Sequence, residues 1–338
     1  MALSTVSSIS TALPVEFESK LHRQWNRTSS LLSKLEVRMV GGQQVYFNVS
    51  FPTDAAGVHV EGADIASGEF VTDSILGAAL PWGQYATALS ISDHQIEVAA
   101  SSSGLADPLK QIFSEQLLGR TADLTNKLNK DLFNGLGTGN SLLGLAESLK
   151  DDSGSYGGIS RGTYASWKSN VDSSVSLASN ADEIVALEEK IFSASGKRPN
   201  LIVTTPAILS KYGKLFDSKV QIVNDPRRGF EMARPDFDYS FQGIPVMRDK
   251  DCPDGYMFML NTDELYLAAL PPLQTTSSIN FALKTGLSSN GDDMDSVGLP
   301  FRLENISKTG SATKAFLRTT LQLVVNRPNA QGVLAGIS

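Results

Sequence analysis

Two stretches near the start of the chain alternate apolar with polar residues, and this period of two predicts β-strands. The first runs from Leu35 to Phe51 with a break at Gly41-Gly42, and the second runs from Leu89 to Val98. We expect them to pair as a long two-stranded excursion whose far end includes Pro81-Trp82. A lone pair of strands is marginally stable in water, so the excursion must rest on something, and a second copy of the chain is the obvious candidate.

A long helix is predicted between Asp107-Pro108 and Asn134-Gly135. Aspartate is a favoured N-cap and proline suits the first helical position, while asparagine followed by glycine is typical of a helix end. At a rise of about 1.5 Å per residue, the helix is roughly 39 Å long and crosses a whole domain. Its apolar residues recur three, four or seven positions apart and form one stripe: Leu109, Ile112, Phe113, Leu117, Leu124, Leu128 and Leu132.

The second half has the pattern of an α/β arrangement. Asn180 and the glutamate three residues later resemble a capping box at the start of a helix that Gly196 can end. Leu201–Thr204 is an apolar run typical of a buried strand, and a second helix is expected from Pro206 to Gly213. Further strands are predicted at Ile244–Met247, Tyr256–Leu260, Glu264–Leu267, Ile279–Leu283 and Phe316–Val325.

Length and composition indicate a folded protein with one large core, or with two cores that share a boundary. The chain has 338 residues, of which 41% are hydrophobic and 19% charged, and its net charge is -7. The negative net charge disfavours a protein that binds DNA directly, because such proteins neutralise phosphates with a basic surface. Any nucleic acid partner is therefore expected to be enclosed by the protein and not bound tightly through its phosphates.

The charges are unevenly distributed along the chain. From Gly41 to Leu109 there is no lysine or arginine, whereas the second half is more basic and contains the pair Arg227-Arg228. One interpretation of these arginines is a solvated surface. The other is that they meet the acidic excursion of a neighbouring copy, because complementary patches on one chain favour ring-forming contacts. The acidic residues of the excursion are Asp54, Glu61, Asp64, Glu69, Asp73, Asp93, Glu97 and Asp107.

The sequence contains no recognisable set of catalytic or metal-binding residues. The single cysteine, Cys252, excludes an intrachain disulfide, and none of the three histidines accompanies a nucleophile motif. Gly135–Gly139 lacks the ending of a phosphate loop, and the acidic group from Asp292 to Asp295 lacks the glutamate of a calcium loop. No run is long and apolar enough to span a membrane. We therefore predict no enzyme activity, no catalytic, cofactor-binding or metal-binding residues and no membrane partner.

The residues that we expect to carry the function are contact residues. In the excursion these are the aromatic residues Phe70, Trp82 and Tyr85, and in the second half they are Arg227 and Arg228. Aromatic rings and arginine are enriched in protein contacts. A sugar-binding surface protein, in which Trp82, Tyr164 and Trp167 stack on a ligand, is a rival interpretation, although aromatic residues of this kind more commonly belong to a core or a protein contact. A hydrolase is disfavoured because no coherent set of catalytic groups is found.

Several short stretches carry a family resemblance. They are Tyr156–Arg161 with Tyr164 and Trp167, Pro199–Thr205, Phe241–Val246, Cys252–Gly255 and Leu260-Asn261. Each is moderately specific alone. Together with the order of the predicted elements, they make nearly the whole chain resemble the major capsid proteins of tailed bacteriophages with the Hong Kong 97-type fold.

The resemblance implies an α+β fold with five parts. Residues 1–40 would form an N-terminal arm, 41–104 an extended loop that reaches over the adjacent subunit, and 105–150 a peripheral domain with a long spine helix. Residues 151–275 would form an axial domain, and 276–338 the returning peripheral-domain strands and the C-terminus. Some relatives cross-link a lysine of the extended loop to an asparagine, which this lysine-free loop cannot do.

The resemblance also implies a function. A major capsid protein assembles into hexamers and pentamers of an icosahedral head that encloses double-stranded DNA. The implied partners are further copies of the chain, a portal and, where present, a cement protein. We expect a separate scaffolding protein, and the alternative is a scaffolding segment that has already been lost. Assembly would take place in the bacterial host cytoplasm, and the product would be the virion capsid. An encapsulin-like cellular compartment, built on the same fold, is the alternative.

Overall fold

The computed structural model describes residues 31–51, 74–92, 107–173, 182–216, 239–271, 278–284, 298–306 and 312–337. Within these ranges the helices are α1 (Asp107–Asn134), α2 (Leu145–Ser148), α3 (Asp182–Ser195) and α4 (Pro206–Phe216). The strands of the first half are β1 (Glu36–Met39), β2 (Val45–Phe51), β3 (Ser74–Leu80), β4 (Gly83–Ser92), β5 (Ser155–Tyr156), β6 (Ile159–Ser160) and β7 (Asn170–Ser173). Those of the second half are β8 (Leu201–Thr204), β9 (Tyr239–Phe241), β10 (Ile244–Arg248), β11 (Met257–Leu260), β12 (Leu265–Ala269), β13 (Ser278–Lys284), β14 (Gly298–Ile306), β15 (Ala312–Val325) and β16 (Gly332–Ala335).

A large sheet lies against the long helix. Its strands follow the order β1-β12-β15-β14-β13, and β4 also pairs with β15. The apolar residues Leu124, Leu128 and Leu132 of α1 are buried, and the helix packs chiefly on β4. The described part of the apolar stripe that was predicted from the sequence therefore forms the helix–sheet contact.

A second sheet has the order β7-β16-β11-β8-β10-β9. Its central strand β8 is buried along its whole length, runs parallel to β10 and lies antiparallel to β11. Ile184 and Leu187 of α3 and Ile208 of α4 form an apolar cluster with residues of this sheet. Residues of both sheets, such as Phe258 and Leu317, also belong to one continuous buried cluster, so the two sheets share a core.

Most of the predicted helix ends are confirmed, and one is wrong. α1 has the bounds that its capping residues predict. Only glycine fits at the position after α1. An added Cβ on Gly135 would lie 2.2 Å from the backbone oxygen of Leu142 and would collide with it. α4, in contrast, continues beyond Gly213 to Phe216. A glycine inside a helix costs only about 1 kcal/mol relative to alanine, which the packing of the apolar side of α4 on the second sheet can offset.

The predicted partner of the first alternating stretch is wrong. β2 pairs antiparallel with β3, from Val45 opposite Leu80 to Phe51 opposite Ser74. The described part of the second stretch lies in β4, which pairs with β15 in the large sheet. Pro81-Trp82 directly follows β3 and therefore lies at the base of the hairpin that β2 and β3 form, not at a far end. Alternation identifies a strand but not its partner, and the sequence of β3 lacks alternating polar residues.

Sheet membership crosses the predicted boundaries between the five parts. β1 lies in the predicted arm and β12 in the predicted axial domain, yet they pair in parallel in the large sheet. β16, in the returning segment 276–338, lies between β7 and β11 in the second sheet. The division into five parts stays a prediction. The pairings of β1 and of β16 each join strands that this division assigns to different parts.

Asp249, which follows β10, joins three parts of the subunit. Its side chain is buried, and its Oδ1 accepts a hydrogen bond from Asn129 Nδ2 of α1 at 3.0 Å. Its Oδ2 accepts from the backbone N–H of Leu31 at 3.4 Å, while its own backbone N–H donates to the carbonyl of Thr204 at 2.9 Å. The chain segment that precedes β1, the long helix and the second sheet therefore meet at one carboxylate.

Candidate functional site

The hairpin, which consists of β2 and β3, has one face packed on its own subunit. Val45 and Leu80 are buried in the main core. Phe51 stacks on Tyr164 with 4.3 Å between the ring centroids, and it meets Trp167 edge-on at 5.8 Å. The expectation that the excursion depends on another copy for its core is therefore wrong for this part, which rests on its own chain.

A tight turn between β5 and β6 holds the base of the hairpin. Gly157 and Gly158 have φ angles of 61° and 83°, the left-handed conformations that a two-residue type I′ turn requires. The backbone N–H of Ala79 donates to the carbonyl of Gly157 at 2.9 Å. An added Cβ on Gly157 would lie 2.9 Å from the Cβ of Ala78, so this turn and β3 are in close contact.

The opposite face of the hairpin is open in the described part of the subunit. Tyr46 is 63% exposed and Ile75 is 70% exposed. In the described sheets β2 and β3 pair with no third strand, so the outer edge of β2 has no strand partner and that of β3 meets only the turn at Gly157. Open strand edges beside exposed apolar side chains are suited to pairing with another molecule. This face is the first candidate contact surface.

Trp82 and Tyr85, two of the predicted contact residues, are buried within their own subunit. The Nε1–H of Trp82 donates to the carbonyl of Gly42 at 2.9 Å. The hydroxyl of Tyr85 donates to Asp131 on α1 at 2.9 Å and accepts from the backbone N–H of Leu142 at 3.1 Å. Burial raises the pKa of Tyr85. A contact role for the two residues stays a prediction.

The other three predicted contact residues, Phe70, Arg227 and Arg228, lie outside the described residues. Their contact role also stays a prediction. None of the five candidates is therefore a surface residue of the described part of the chain, and the exposed candidates come from the structure.

A second exposed surface lies on the side of the large sheet that points away from α1. Lys314, Phe316 and Arg318 of β15 are exposed, whereas Ala315 and Leu317 between them are buried. Sequence reasoning missed this surface although the signal was present. The alternation that places Leu317 on the core side necessarily turns its even-numbered neighbours outward.

The described residues were compared with the arrangements that metal sites and reactive thiols require. No group of three or more His, Cys, Asp or Glu side chains among them could hold a metal ion. None of the helices in the described ranges is long and apolar enough to cross a membrane. Cys252 is buried, and burial raises the pKa of its thiol, which keeps the thiol protonated. What this part of the chain presents is a set of contact surfaces.

The comparison with protein families decides between the rival interpretations. Residues 44–338 match the sequence profile of the family described as SU10 major capsid protein. The chain belongs to this family. The capsid protein therefore has a structural role as the shell subunit of a tailed phage, and the virion capsid is its place of action.

Solved structures show the same fold. The capsid protein aligns with a chain of the capsid asymmetric unit of cyanophage A-1(L) at a TM-score of 0.72 and 19% identity, over 99% of both chains. It aligns with the capsid of a native GTA particle at a TM-score of 0.62 and 14% identity, over 100% of both chains. No curated protein matches it in sequence. The predicted α+β Hong Kong 97-type fold is confirmed.

The fold is also shared with an encapsulin. The SrpI encapsulin from Synechococcus elongatus PCC 7942 aligns with the capsid protein at a TM-score of 0.59 and 13% identity, over 100% of this chain and 97% of that one. At such low identity the likeness shows the fold alone. The match to a capsid family is what favours the phage head.

Proposed function

We propose that the capsid protein assembles with copies of itself into hexamers and pentamers of an icosahedral head that encloses double-stranded DNA. The observation that carries this proposal is the difference between the two faces of the hairpin. Its inner face is anchored on its own subunit through Phe51, while Tyr46 and Ile75 on its outer face are exposed. Several modest contacts of this kind become jointly stable once a ring of subunits closes.

The DNA is enclosed without sequence-specific recognition in this proposal. The net charge of -7 supports this, because a strongly acidic subunit does not neutralise phosphates over its whole surface. The further partners are a separate scaffolding protein, a portal and, where present, a cement protein. Assembly is proposed to take place in the host cytoplasm before the DNA enters.

Expression of the chain alone and together with its neighbouring genes tests the proposal. Negative-stain microscopy is expected to show uniform hollow shells, and averaged images are expected to contain rings of five and of six subunits. The subunit is expected to need a scaffolding protein for uniform size. A chain that stays monomeric at high concentration in the presence of its scaffold would contradict the proposal.

An encapsulin-like compartment is the second candidate, and the fold shared with the SrpI encapsulin supports it. The two functions differ in what they require. Uniform shells that form without a scaffold and copurify with an enzyme cargo would favour the compartment. Shells that need a scaffold and a portal would favour the phage head.

A further inference from the structure

The side-chain amide of Asn129, on the long helix α1, has an oxygen that no donor reaches. The residue is 0% exposed, and its Oδ1 has no hydrogen-bond partner within the described part of the chain. Its Nδ2 donates to Asp249 Oδ1 at 3.0 Å and to Asp251 Oδ2 at 2.7 Å. A buried polar atom without a protein partner points to a bound water molecule or ion.

Two carboxylates converge on this amide. Asp249 is buried and Asp251 is partly exposed, so the pair can be reached from solvent on the side of Asp251. The backbone N–H of Asp251 donates to Asp249 Oδ1 at 2.9 Å, which holds the loop after β10 in place. Asp249 Oδ2 is engaged elsewhere, with the backbone N–H of Leu31. The oxygens that face Asn129 are therefore one from each aspartate.

The spacing of the two aspartates is that of a calcium loop. Asp249 and Asp251 stand two positions apart, as do the first two carboxylates of an EF-hand loop. Leu260 occupies the position at which such a loop has its glutamate, so the loop alone does not complete a site. A third oxygen has to come from elsewhere in the fold, and Asn129 is the residue that α1 brings to the pair.

The Asn129 amide can supply that oxygen. A half-turn about its Cβ–Cγ bond exchanges Oδ1 and Nδ2, which have nearly the same size. Oδ1 then lies roughly 3 Å from one oxygen of each carboxylate, which is the usual spacing between neighbouring ligands of one Ca²⁺ ion. Without a cation three oxygens at this distance repel one another, so the amide hydrogens face the carboxylates. A cation takes over the role of these hydrogens and binds the buried oxygen.

We propose that Asn129, Asp249 and Asp251 bind a hard divalent cation, Ca²⁺ in preference to Mg²⁺. Carboxylate and amide oxygens are the ligands of such ions, and Ca²⁺ tolerates irregular geometry better than Mg²⁺. Three protein ligands, with water on the side of Asp251, predict weak binding with a Kd of about 10⁻⁴–10⁻³ M. The cation would tie α1 to the second sheet, independently of how the subunit assembles. Such a site departs from the sequence-based prediction of no metal-binding residues.

Thermal unfolding of the unassembled full-length subunit tests the proposal. The protein is dialysed against EDTA and then measured in about 10 mM CaCl₂, in MgCl₂ at the same concentration, and in NaCl at equal ionic strength. Ca²⁺ is expected to raise the unfolding midpoint by about 3 °C over NaCl, because a ligand that binds only the folded state stabilises it. Mg²⁺ is expected to raise it less. Equal midpoints in all three salts would overturn the proposal.

Two substitutions in the loop separate a site from a general attraction to acidic residues. Asp251→Asn keeps an acceptor for the Asn129 amide but removes a charged ligand, and titration calorimetry is expected to show Ca²⁺ binding at least about tenfold weaker. Asp254→Asn makes the same charge change at an exposed position of this loop and is expected to leave the affinity nearly unchanged. If both variants lose the same affinity, the cation is only attracted to the loop and the proposal fails.

Asn129→Asp separates a ligand from a residue that only donates hydrogen bonds. In EDTA this variant is expected to unfold at a lower temperature than the wild type, because three carboxylates then meet and no amide hydrogen remains. Ca²⁺ is expected to raise its midpoint by more than it raises that of the wild type, since a charged ligand replaces a neutral one. A variant that Ca²⁺ does not rescue would assign Asn129 a hydrogen-bonding role alone. That result contradicts the proposal and leaves self-assembly untouched.

Discussion

Arg161 is a buried cation that is held largely by backbone carbonyls. Its side chain is 3% exposed, and its guanidinium donates to the carbonyl of Ser148 at 2.8 Å and to that of Glu147 at 3.2 Å. A third bond goes to the carboxylate of Asp152 at 2.9 Å, and the guanidinium lies 5.9 Å from the ring centroid of Tyr156. One side chain thus ties the end of α2 to the turn that supports the hairpin.

Replacement of Arg161 by methionine is expected to lower the free energy of unfolding by about 3 kcal/mol. The buried carbonyl of Ser148 and the partly buried carbonyl of Glu147 would lose a donor, and such groups are costly to leave unpaired. Urea denaturation of the unassembled subunit measures this effect. The control is Asp152→Asn, whose half-exposed carboxylate is expected to contribute less than about 1 kcal/mol because solvent screens it. Equal losses in both variants would contradict this account of Arg161.

At the scale of elements, the hairpin has two faces with different tasks. Phe51 packs between the rings of Tyr164 and Trp167 on the inner face. Tyr46, five positions earlier on the same strand, lies on the outer face and is largely exposed. The inner face therefore contributes to the stability of the subunit, whereas the outer face has no such role in the described contacts.

Two alanine variants on this strand are expected to separate the tasks. Phe51→Ala should lower the free energy of unfolding by about 3 kcal/mol, because it leaves a cavity beside two aromatic rings. Tyr46→Ala should change it by less than about 0.5 kcal/mol, as is usual for exposed residues. Chemical denaturation of the subunit measures both values. A loss of shell yield with Tyr46→Ala, at unchanged stability, would show that the outer face of the hairpin takes part in assembly. An unchanged shell yield would show that Tyr46 makes no important contact between subunits.

At the scale of the whole molecule, the last strand completes a sheet that starts much earlier in the chain. β16 lies between β7 and β11, with Val333 and Leu334 buried. Just before it, the side chain of Gln331 accepts from the backbone N–H of Asn261 at 2.8 Å and donates to its carbonyl at 3.1 Å. The second sheet is therefore not a separate module and forms only when the end of the chain arrives.

Removal of residues 332–338 is expected to prevent cooperative folding of the subunit. The truncation exposes the edges of two strands and removes Leu334 from the second apolar cluster. A single leucine truncation in a core costs about 2–5 kcal/mol, and the total stability of a domain is only about 5–15 kcal/mol. Calorimetry of the truncated chain measures the loss of the unfolding transition. Removal of Ser338 alone is the control and should leave the transition in place.

The elements whose determinants are local were predictable from the sequence. The capping residues and apolar stripe of α1, the buried run of β8 and the alternation in β2 and β15 depend on neighbouring residues along the chain. The family resemblance followed from the order of these elements and from short local stretches such as Tyr156–Arg161 and Pro199–Thr205. Local patterns thus determined the class of fold and the long helix.

Partners and exposure were decided only by the tertiary structure. β2 pairs with β3 because the main-chain register and the packing of Phe51 select it, and alternation alone carries no information about a partner strand. Trp82 and Tyr85 are hydrogen-bonded in the core, whereas Phe316 is exposed between two basic residues. Burial depends on which distant segments cover a side chain, and that information is not local to the residue.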